Sequence, residues 1–212
     1  MTIPRAPASR APIQTTILIA LAIILLLTCI DPPYPGQMLL QHIPTVAVLI
    51  AAPFLLRRRP LGTASVLCLA LFLLFHIIGA RYIYSFVPYD ALTETLFGFS
   101  ITETFGFERN HYDRLVHFLF GALWIAPVRE IAIRYGNLSP RAAMIAALGF
   151  VLSISALYEI FEWCLTFAVA PEDAEAYNGQ QGDLWDAQKD MALAAGGAVV
   201  AAGICWGVGS RE

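Results

Sequence analysis

Residues 141–163 read RAAMIAALGFVLSISALYEIFEW, and this stretch decides the class of fold. From Ala142 to Tyr158 it contains no charged residue. A helix needs about 20 mostly apolar residues to cross roughly 30 Å of hydrocarbon, so the stretch predicts a membrane-spanning helix. Glu159 and Glu162 follow at the end of the same apolar run, where an ionised side chain needs a partner.

Five further apolar runs have a comparable length. We therefore predict an all-α, polytopic transmembrane helix bundle of about six spans, in a single integral membrane domain that covers residues 1–212. The predicted spans are residues 13–30, 38–56, 61–84, 112–133, 141–169 and 186–208, with an outer loop at 85–111.

The composition of the whole chain agrees with a membrane protein. The 212 residues are 58% hydrophobic and 14% charged, and their mean hydropathy is +0.66. A soluble globular domain is about 45–50% apolar and about 25% charged, so that class is excluded. A net charge of −3 argues against a nucleic-acid partner. The four cysteines show no CxxC spacing, and neither a disulfide framework nor a zinc knuckle is indicated.

Basic residues in the short loops predict the orientation of the bundle, because cytoplasmic loops are enriched in Lys and Arg. If the N-terminus is cytoplasmic, nine of the 13 basic residues lie on the inner side, including the run Arg57 to Arg59. With six spans, the C-terminus is then cytoplasmic as well.

In this orientation, His and carboxylate residues of four helices lie at one level on the outer side. At 100° per residue, Asp113 and His117 are about 40° apart on their helix, and Glu159 and Glu162 about 60° apart. Helix bundles build metal sites from side chains of this kind on facing helices. The candidate ligands of a divalent metal ion are His111, Asp113, His117, Glu159, Glu162, Asp183, Asp186 and Asp190.

Two further roles follow from residue type. A bound ion would act as a Lewis acid and activate water, and arginine guanidinium groups could clamp a phosphate. The candidate catalytic residues are Asp113, His117, Glu159 and Asp186, and the candidate substrate-binding residues are Arg81, Arg109 and Arg114.

Structural explanations compete with these roles. Asp183 is equally well explained as an N-cap, and Arg109, Arg114 and Lys189 as partners of carboxylates in interfacial salt bridges. His42 is interpreted as a snorkelling residue at the interface. The glycines at 196, 197 and 203 are interpreted as close helix packing in the last span. An aromatic belt at the outer interface explains Tyr82, Tyr84, Tyr89, Tyr112, Trp163 and Trp185.

Four stretches resemble the YjdF-type bacterial inner-membrane proteins: residues 76–84 (HIIGARYIY), 110–121 (NHYDRLVHFLFG), 158–163 (YEIFEW) and 181–191 (QGDLWDAQKDM). More distantly, the chain resembles the VanZ-like proteins, one of which is tied to glycopeptide-antibiotic resistance. The resemblance implies a multi-pass protein of the bacterial inner membrane, but it implies no reaction. The positions that carry the VanZ-like pattern are Asp113, His117, Glu159, Asp183 and Asp186.

Two classes of function remain open from the sequence. The first is a metal-dependent enzyme that acts at the outer leaflet on a lipid or a lipid-linked envelope precursor. The second is a non-catalytic cation-binding, transport or envelope assembly protein whose carboxylate cluster is structural. Transport is disfavoured because the polar residues are confined to one side and no internal repeat is evident.

Overall fold

The structure, a computed structural model, describes residues 11–168, 174 and 177–209, and within these ranges the secondary structure is helical. This confirms the all-α class. The helices are α1 (Ala11–Thr28), α2 (Pro35–Arg58), α3 (Thr63–Arg81), α4 (Tyr89–Phe97), α5 (Ile101–Phe105), α6 (Tyr112–Arg134), α7 (Pro140–Ala168) and α8 (Asp186–Gly209).

Five of these helices, α2, α3, α6, α7 and α8, are long and apolar enough to cross a membrane. The sixth apolar helix, α1, has 18 residues and is therefore about 27 Å long, slightly less than the thickness of a hydrocarbon core. The polytopic membrane bundle is thus confirmed, and the crossing of α1 stays a prediction. The short helices α4 and α5 lie in the segment that was predicted as an outer loop.

The third span ends earlier than the sequence predicts. Helix α3 stops at Arg81, and both Ile83 and Tyr84 then adopt positive φ angles of 45° and 56°. Residues with a Cβ rarely occupy this left-handed region, and hydropathy alone does not predict the turn. The turn directs the chain back against the C-terminal end of α3, where Tyr84 is buried.

Helix α6 is the centre of the bundle, since it packs against α3, α7 and α8. Helix α3 packs in turn against α1 and α2. The main apolar core lies between α6, α7 and α8 around Ile125, Val151 and Ala198, and a second core joins α1 to α3 around Leu21 and Ile77.

Two glycines allow α6 and α8 to cross closely. A Cβ added to Gly197 would overlap the main-chain oxygen of Phe118, and one added to Gly121 would overlap that of Ala194. The close-packing interpretation is therefore correct for Gly197. It is wrong for Gly196 and Gly203, because an added Cβ would meet no heavy atom within 4 Å at either position.

At the end of the bundle opposite the carboxylate cluster, Glu130 of α6 caps the N-terminus of α3. It accepts hydrogen bonds from the Gly62 main-chain nitrogen at 2.7 Å and the Ser65 hydroxyl at 2.5 Å. A carboxylate is favourable there because the N-terminus of a helix carries a partial positive charge. Arg134 binds both Glu130 and the Pro60 carbonyl, which fixes the α2–α3 turn to α6.

The sidedness of the bundle is tested by reporter fusions. We expect cytoplasmic signals at Arg58 and Gly136 and periplasmic signals at Gly36 and Phe99, because the basic loops remain inside. A periplasmic signal at Arg58 would contradict the predicted orientation. Fusions at Asp173 and Glu212, which lie outside the described residues, extend the test and should report periplasm and cytoplasm.

Candidate metal centre

The N-terminal ends of α6 and α8 and the C-terminal half of α7, which are predicted to lie on the outer side, bring four of the predicted site residues together. Asp113 and His117 come from the first two turns of α6, Glu159 from α7 and Asp190 from the second turn of α8. All four side chains are buried, and Asp190 is only 2% exposed. The cluster therefore lies inside the protein, between three helices that also form its main core.

Asp113, His117 and Asp190 have the geometry of a metal triad. Each offers one ligand atom, and these atoms all lie within 4.8 Å of one another. Ligand atoms sit about 2.0–2.6 Å from Zn²⁺ or Ca²⁺, so two ligands of one ion are at most about 4–5 Å apart. The three side chains thus match a single divalent ion in ligand type and in separation.

Glu159 completes the cluster from the α7 side. The His117 ring lies between two carboxylates, with Nε2 3.6 Å from Asp113 Oδ1 and Nδ1 3.8 Å from Glu159 Oε1. Both distances are longer than a hydrogen bond. The ring nitrogens are therefore not bonded to either carboxylate.

The inner group of acids, Asp113, Glu159 and Asp190, lies near the His117 imidazole but has no lysine or arginine partner among the described residues. Within the part of the chain that the structure describes, no Lys or Arg nitrogen lies within 4.0 Å of a carboxylate oxygen of Asp113, Glu159 or Asp190. Asp190 Oδ1 and Glu159 Oε1 are buried and have no hydrogen-bond partner. Burial of an unpaired carboxylate is costly, so the group requires protons or a cation.

The outer group of acids is, by contrast, paired with basic side chains. Arg109 bonds Asp186, and Arg114 bonds Asp183 and lies 3.6 Å from Asp186. Lys189 Nζ is 2.6 Å from Asp183 Oδ2. The salt-bridge explanation therefore fits Asp183 and Asp186.

Asp183 also fixes the chain before α8. Its Oδ1 accepts a hydrogen bond from the main-chain nitrogen of Trp185, one residue before the helix begins at Asp186. The hydrogen bonds from Lys189 and from this main-chain nitrogen hold the pKa of Asp183 well below its usual range. Asp183 is therefore ionised and committed to partners other than the inner group.

Arg109 also fixes a segment that covers the site. Its guanidinium donates to the carbonyl oxygens of Gly179 at 2.8 Å and Gln180 at 2.7 Å. Gly179 has a φ of 69°, and a Cβ added to it would lie 3.7 Å from Asp113 Oδ2. Gly179 thus lies next to Asp113 of the triad, and we call the segment 177–181 the roof.

Glu162 stands next to the roof at the edge of the cluster. It is half-buried one turn beyond Glu159, and its main-chain oxygen accepts a hydrogen bond from Asn178 Nδ2 at 3.1 Å. Its place among the ligands stays a prediction.

Two predicted site residues lie away from the triad. The His111 ring stacks on Phe107 at 4.0 Å between centroids, and its Nε2 is 3.5 Å from Arg114 Nη1. Burial and the positive charges of Arg114 and Arg109 lower the pKa of His111. Arg81 donates instead to the carbonyl oxygens of Thr28, Ile30 and Asp31 at the C-terminus of α1.

The sequence analysis missed a hydrogen-bonded pair of side chains beside the triad. Tyr84 is buried, and its hydroxyl bonds His76 Nδ1. His76 Nε2 lies 3.1 Å from the Gln41 carbonyl oxygen, which can only accept, so Nε2 carries the proton and Tyr84 donates to Nδ1. An added Cβ on Gly79 would overlap the Tyr84 ring, and this glycine was the available sequence signal.

The belt and snorkelling interpretations need correction for three residues. Tyr84 and Tyr112 are buried inside the protein, and Tyr112 donates to the Phe75 carbonyl oxygen at 2.9 Å. His42 is buried as well, with Nε2 3.4 Å from the Thr28 hydroxyl. These positions form protein contacts because the turn after α3 and the end of α1 cover them.

Residues 13–211 match the family described as predicted membrane protein (DUF2238). The chain belongs to this family. The inner membrane protein YjdF of Escherichia coli (strain K12) is 33% identical over 189 residues, which are 88% of this chain and 86% of that protein. The resemblance to YjdF-type proteins is thereby confirmed, and this DUF2238 protein is a multi-pass inner-membrane protein. No solved structure matches the chain. The VanZ-like resemblance stays a prediction.

Proposed function

We propose that the protein binds a divalent cation through Asp113, His117 and Asp190 and acts, on the outer side of the inner membrane, on a lipid or a lipid-linked envelope precursor. One observation carries the proposal: among the described residues, the inner acids are buried without a lysine or arginine partner, whereas Asp183 and Asp186 beside them are bonded to basic side chains. Because the chain neutralises one half of the cluster with its own side chains, the unneutralised half suits an external cation.

The residue types favour Zn²⁺ or Mn²⁺. An imidazole suits Zn²⁺, and carboxylates suit Mn²⁺ or Mg²⁺, so a site with one His and two Asp lies between these preferences. When bound, the ion would supply a Lewis acid.

Glu159 has the position of a general base in this proposal. Its Oε1 has no hydrogen-bond partner and lies 3.8 Å from the ring of His117, a proposed ligand. It would take the proton from a water or hydroxyl nucleophile. Asp186 is bonded to Arg109, and we assign it a positioning role rather than a catalytic one.

We assign a phosphate group to Arg109 and Arg114, because both bond the acids that precede and begin α8, the helix that carries Asp190. Arg114 retains a buried Nε without a partner, while the Arg81 guanidinium is engaged by carbonyl oxygens elsewhere. A phosphate would therefore approach along Arg114.

The second candidate function is a non-catalytic cation-binding, transport or envelope assembly role. The roof favours it, because Arg109 and Gln181 fasten this segment over the triad through hydrogen bonds to Gly179 and Asn110. A covered site suits a structural ion better than a catalytic ion, because a substrate must enter and leave a catalytic site.

Metal content tests the proposal. We expect the purified parent to take up Zn²⁺ or Mn²⁺, and Asp113→Asn and Asp190→Asn each to lose at least about tenfold in affinity, since even the loss of a hydrogen-bond partner of a ligand costs that much. Asp183→Asn is the matched control, because its carboxylate belongs to the paired outer group. It should retain parental affinity.

Melting temperatures distinguish a centre that binds a metal ion from a cluster of acids without one. If an ion is bound, Asp190→Asn lowers the melting temperature and a chelator lowers that of the parent. A parent without metal after incubation with either ion, together with a raised melting temperature in Asp190→Asn, would overturn the metal centre. Turnover of a phospholipid or a polyprenyl phosphate by the metal-loaded parent, lost in Glu159→Gln with metal retained, would separate the enzyme from the non-catalytic role.

A further inference from the structure

A cavity of about 260 Å³ lies beside the triad, between four helices. Its floor is formed by α3 and α6, which pack against each other, and its walls by α2, which packs on α3, and α7, which packs on α6. We propose that this cavity is a groove for one acyl chain of a glycerophospholipid, with the polar end of the lipid at the triad. The role of that polar end rests on the proposed function, whereas binding of the chain does not.

The lining changes from polar to apolar with depth. Asp113, His117 and Tyr84 line the outer end, and Phe120 and Trp124 line the deep end. Asp113, His117, Phe120 and Trp124 recur at helical spacing, so they share one face of α6. A small polar metabolite would leave the aromatic end unfilled, and a wholly apolar molecule would leave the carboxylates without a partner.

The length of the groove matches one leaflet of a bilayer. Asp113 and Trp124 are 11 residues apart on α6, or about 16 Å along the helix axis. Half of a hydrocarbon core is about 15 Å thick. The occupant therefore has a polar end at the outer surface and a chain that reaches the midplane.

The groove opens towards the bilayer rather than the aqueous side. Val48 on the α2 wall is 44% exposed and Ile154 on the α7 wall is 38% exposed, although both line the cavity. At the outer end, Gln41 Nε2 lies 3.5 Å from the Tyr177 carbonyl oxygen, so the roof reaches across to α2. A lipid chain can thus enter sideways between α2 and α7.

Two buried hydroxyls indicate the kind of lipid. Thr45 on the α2 wall is 1% exposed and Ser155 on the α7 wall is 2% exposed, and neither hydroxyl has a hydrogen-bond partner. Ser155 lies one turn deeper than Glu159. Hydroxyl donors at this depth match the ester carbonyls of a glycerolipid. A polyprenyl phosphate has no acceptor below its phosphate and would leave both donors unpaired.

Photo-crosslinking tests the groove. The full chain is reconstituted in vesicles of phosphatidylethanolamine and phosphatidylglycerol that contain a phosphatidylethanolamine with a diazirine in one acyl chain. After irradiation, labelled positions are mapped by mass spectrometry. We expect labels at Thr45 and Ser155 from a diazirine near the ester, and at Phe120 from one near the chain end. Ile145, which is 71% exposed, reports the surrounding lipid.

The controls make either outcome decisive. Ser155→Phe fills the groove and should reduce the label at Thr45 to background while Ile145 keeps its label. Labels confined to exposed positions in the parent would overturn the groove, even if Ser155→Phe fails to fold. Loss of the Thr45 label on addition of a polyprenyl phosphate, but not of unlabelled phospholipid, would overturn the acyl-chain assignment.

The variant Asp190→Asn, which is expected to bind metal more weakly, distinguishes this inference from the proposed function. Groove labels that persist in Asp190→Asn support the groove whatever the metal content. A parent that carries groove labels but binds no metal would overturn the metal centre alone, and a metal-binding parent without groove labels would overturn the groove alone.

Discussion

Gly197→Ala is expected to abolish the accumulation of folded protein. The new Cβ would overlap the Phe118 carbonyl oxygen and lie 2.9 Å from the Ala122 main-chain nitrogen. Both atoms belong to the backbone of α6, so no side chain can rotate to make room, and the two helices must separate. Overpacking by a methylene typically costs 1–3 kcal/mol, and we expect at least the upper end, about 3 kcal/mol, because the whole crossing is displaced.

Expression level and melting temperature in detergent measure this effect, and Gly196→Ala is the matched control on the same helix. An added Cβ at 196 meets no heavy atom within 4 Å, so Gly196→Ala should be neutral or slightly stabilising, as alanine is the better helix former. Equal effects of the two variants would show that α6 and α8 do not cross at Gly197. Because Asp113 and Asp190 lie on these two helices, any folded Gly197→Ala protein should also bind metal more weakly.

The spans could be predicted from the sequence because hydrocarbon leaves the backbone few alternatives to a helix. The predicted ranges 38–56 and 112–133 correspond to Pro35–Arg58 and Tyr112–Arg134. The end of the third span could not be predicted, since Ile83 and Tyr84 adopt a left-handed turn that apolar residues rarely form. That turn is stabilised by contacts with Gly79 and His76, which depend on the tertiary fold.

The sequence could predict which site residues lie close together on one helix. It could not predict which acids form ion pairs with residues of another segment. Asp113 and His117 share a face at i and i+4, as their spacing requires. Asp186 and Asp190 have the same spacing on α8, yet only Asp186 has a guanidinium partner. This difference depends on Arg109, which is 77 residues away in sequence, so the sequence could not divide the acids into a paired and an unpaired group.

Arg109→Gln is expected to destabilise the protein by about 3–5 kcal/mol, the usual loss when one partner of a buried ion pair is removed. The Arg109 side chain is buried against Asp186 and also holds the roof through the carbonyl oxygens of Gly179 and Gln180. Glutamine leaves Asp186 with only Arg114 at 3.6 Å and cannot reproduce the guanidinium fork. The measurement is the melting temperature of the full chain in detergent, with and without Zn²⁺.

Two comparisons decide whether the buried pair is the cause. Lys189→Gln removes the half-exposed Lys189 that bonds Asp183, and it should change the melting temperature little because solvent screens that pair.

The double variant Arg109→Gln/Asp186→Asn removes both buried charges and should melt at a higher temperature than Arg109→Gln alone, since no carboxylate is then left without its partner. If the double variant instead loses as much stability as Arg109→Gln and Asp186→Asn lose together as single variants, Arg109 stabilises the protein through the roof and not through Asp186. An Arg109→Gln protein that melts at the parental temperature would contradict the ion pair and the roof together.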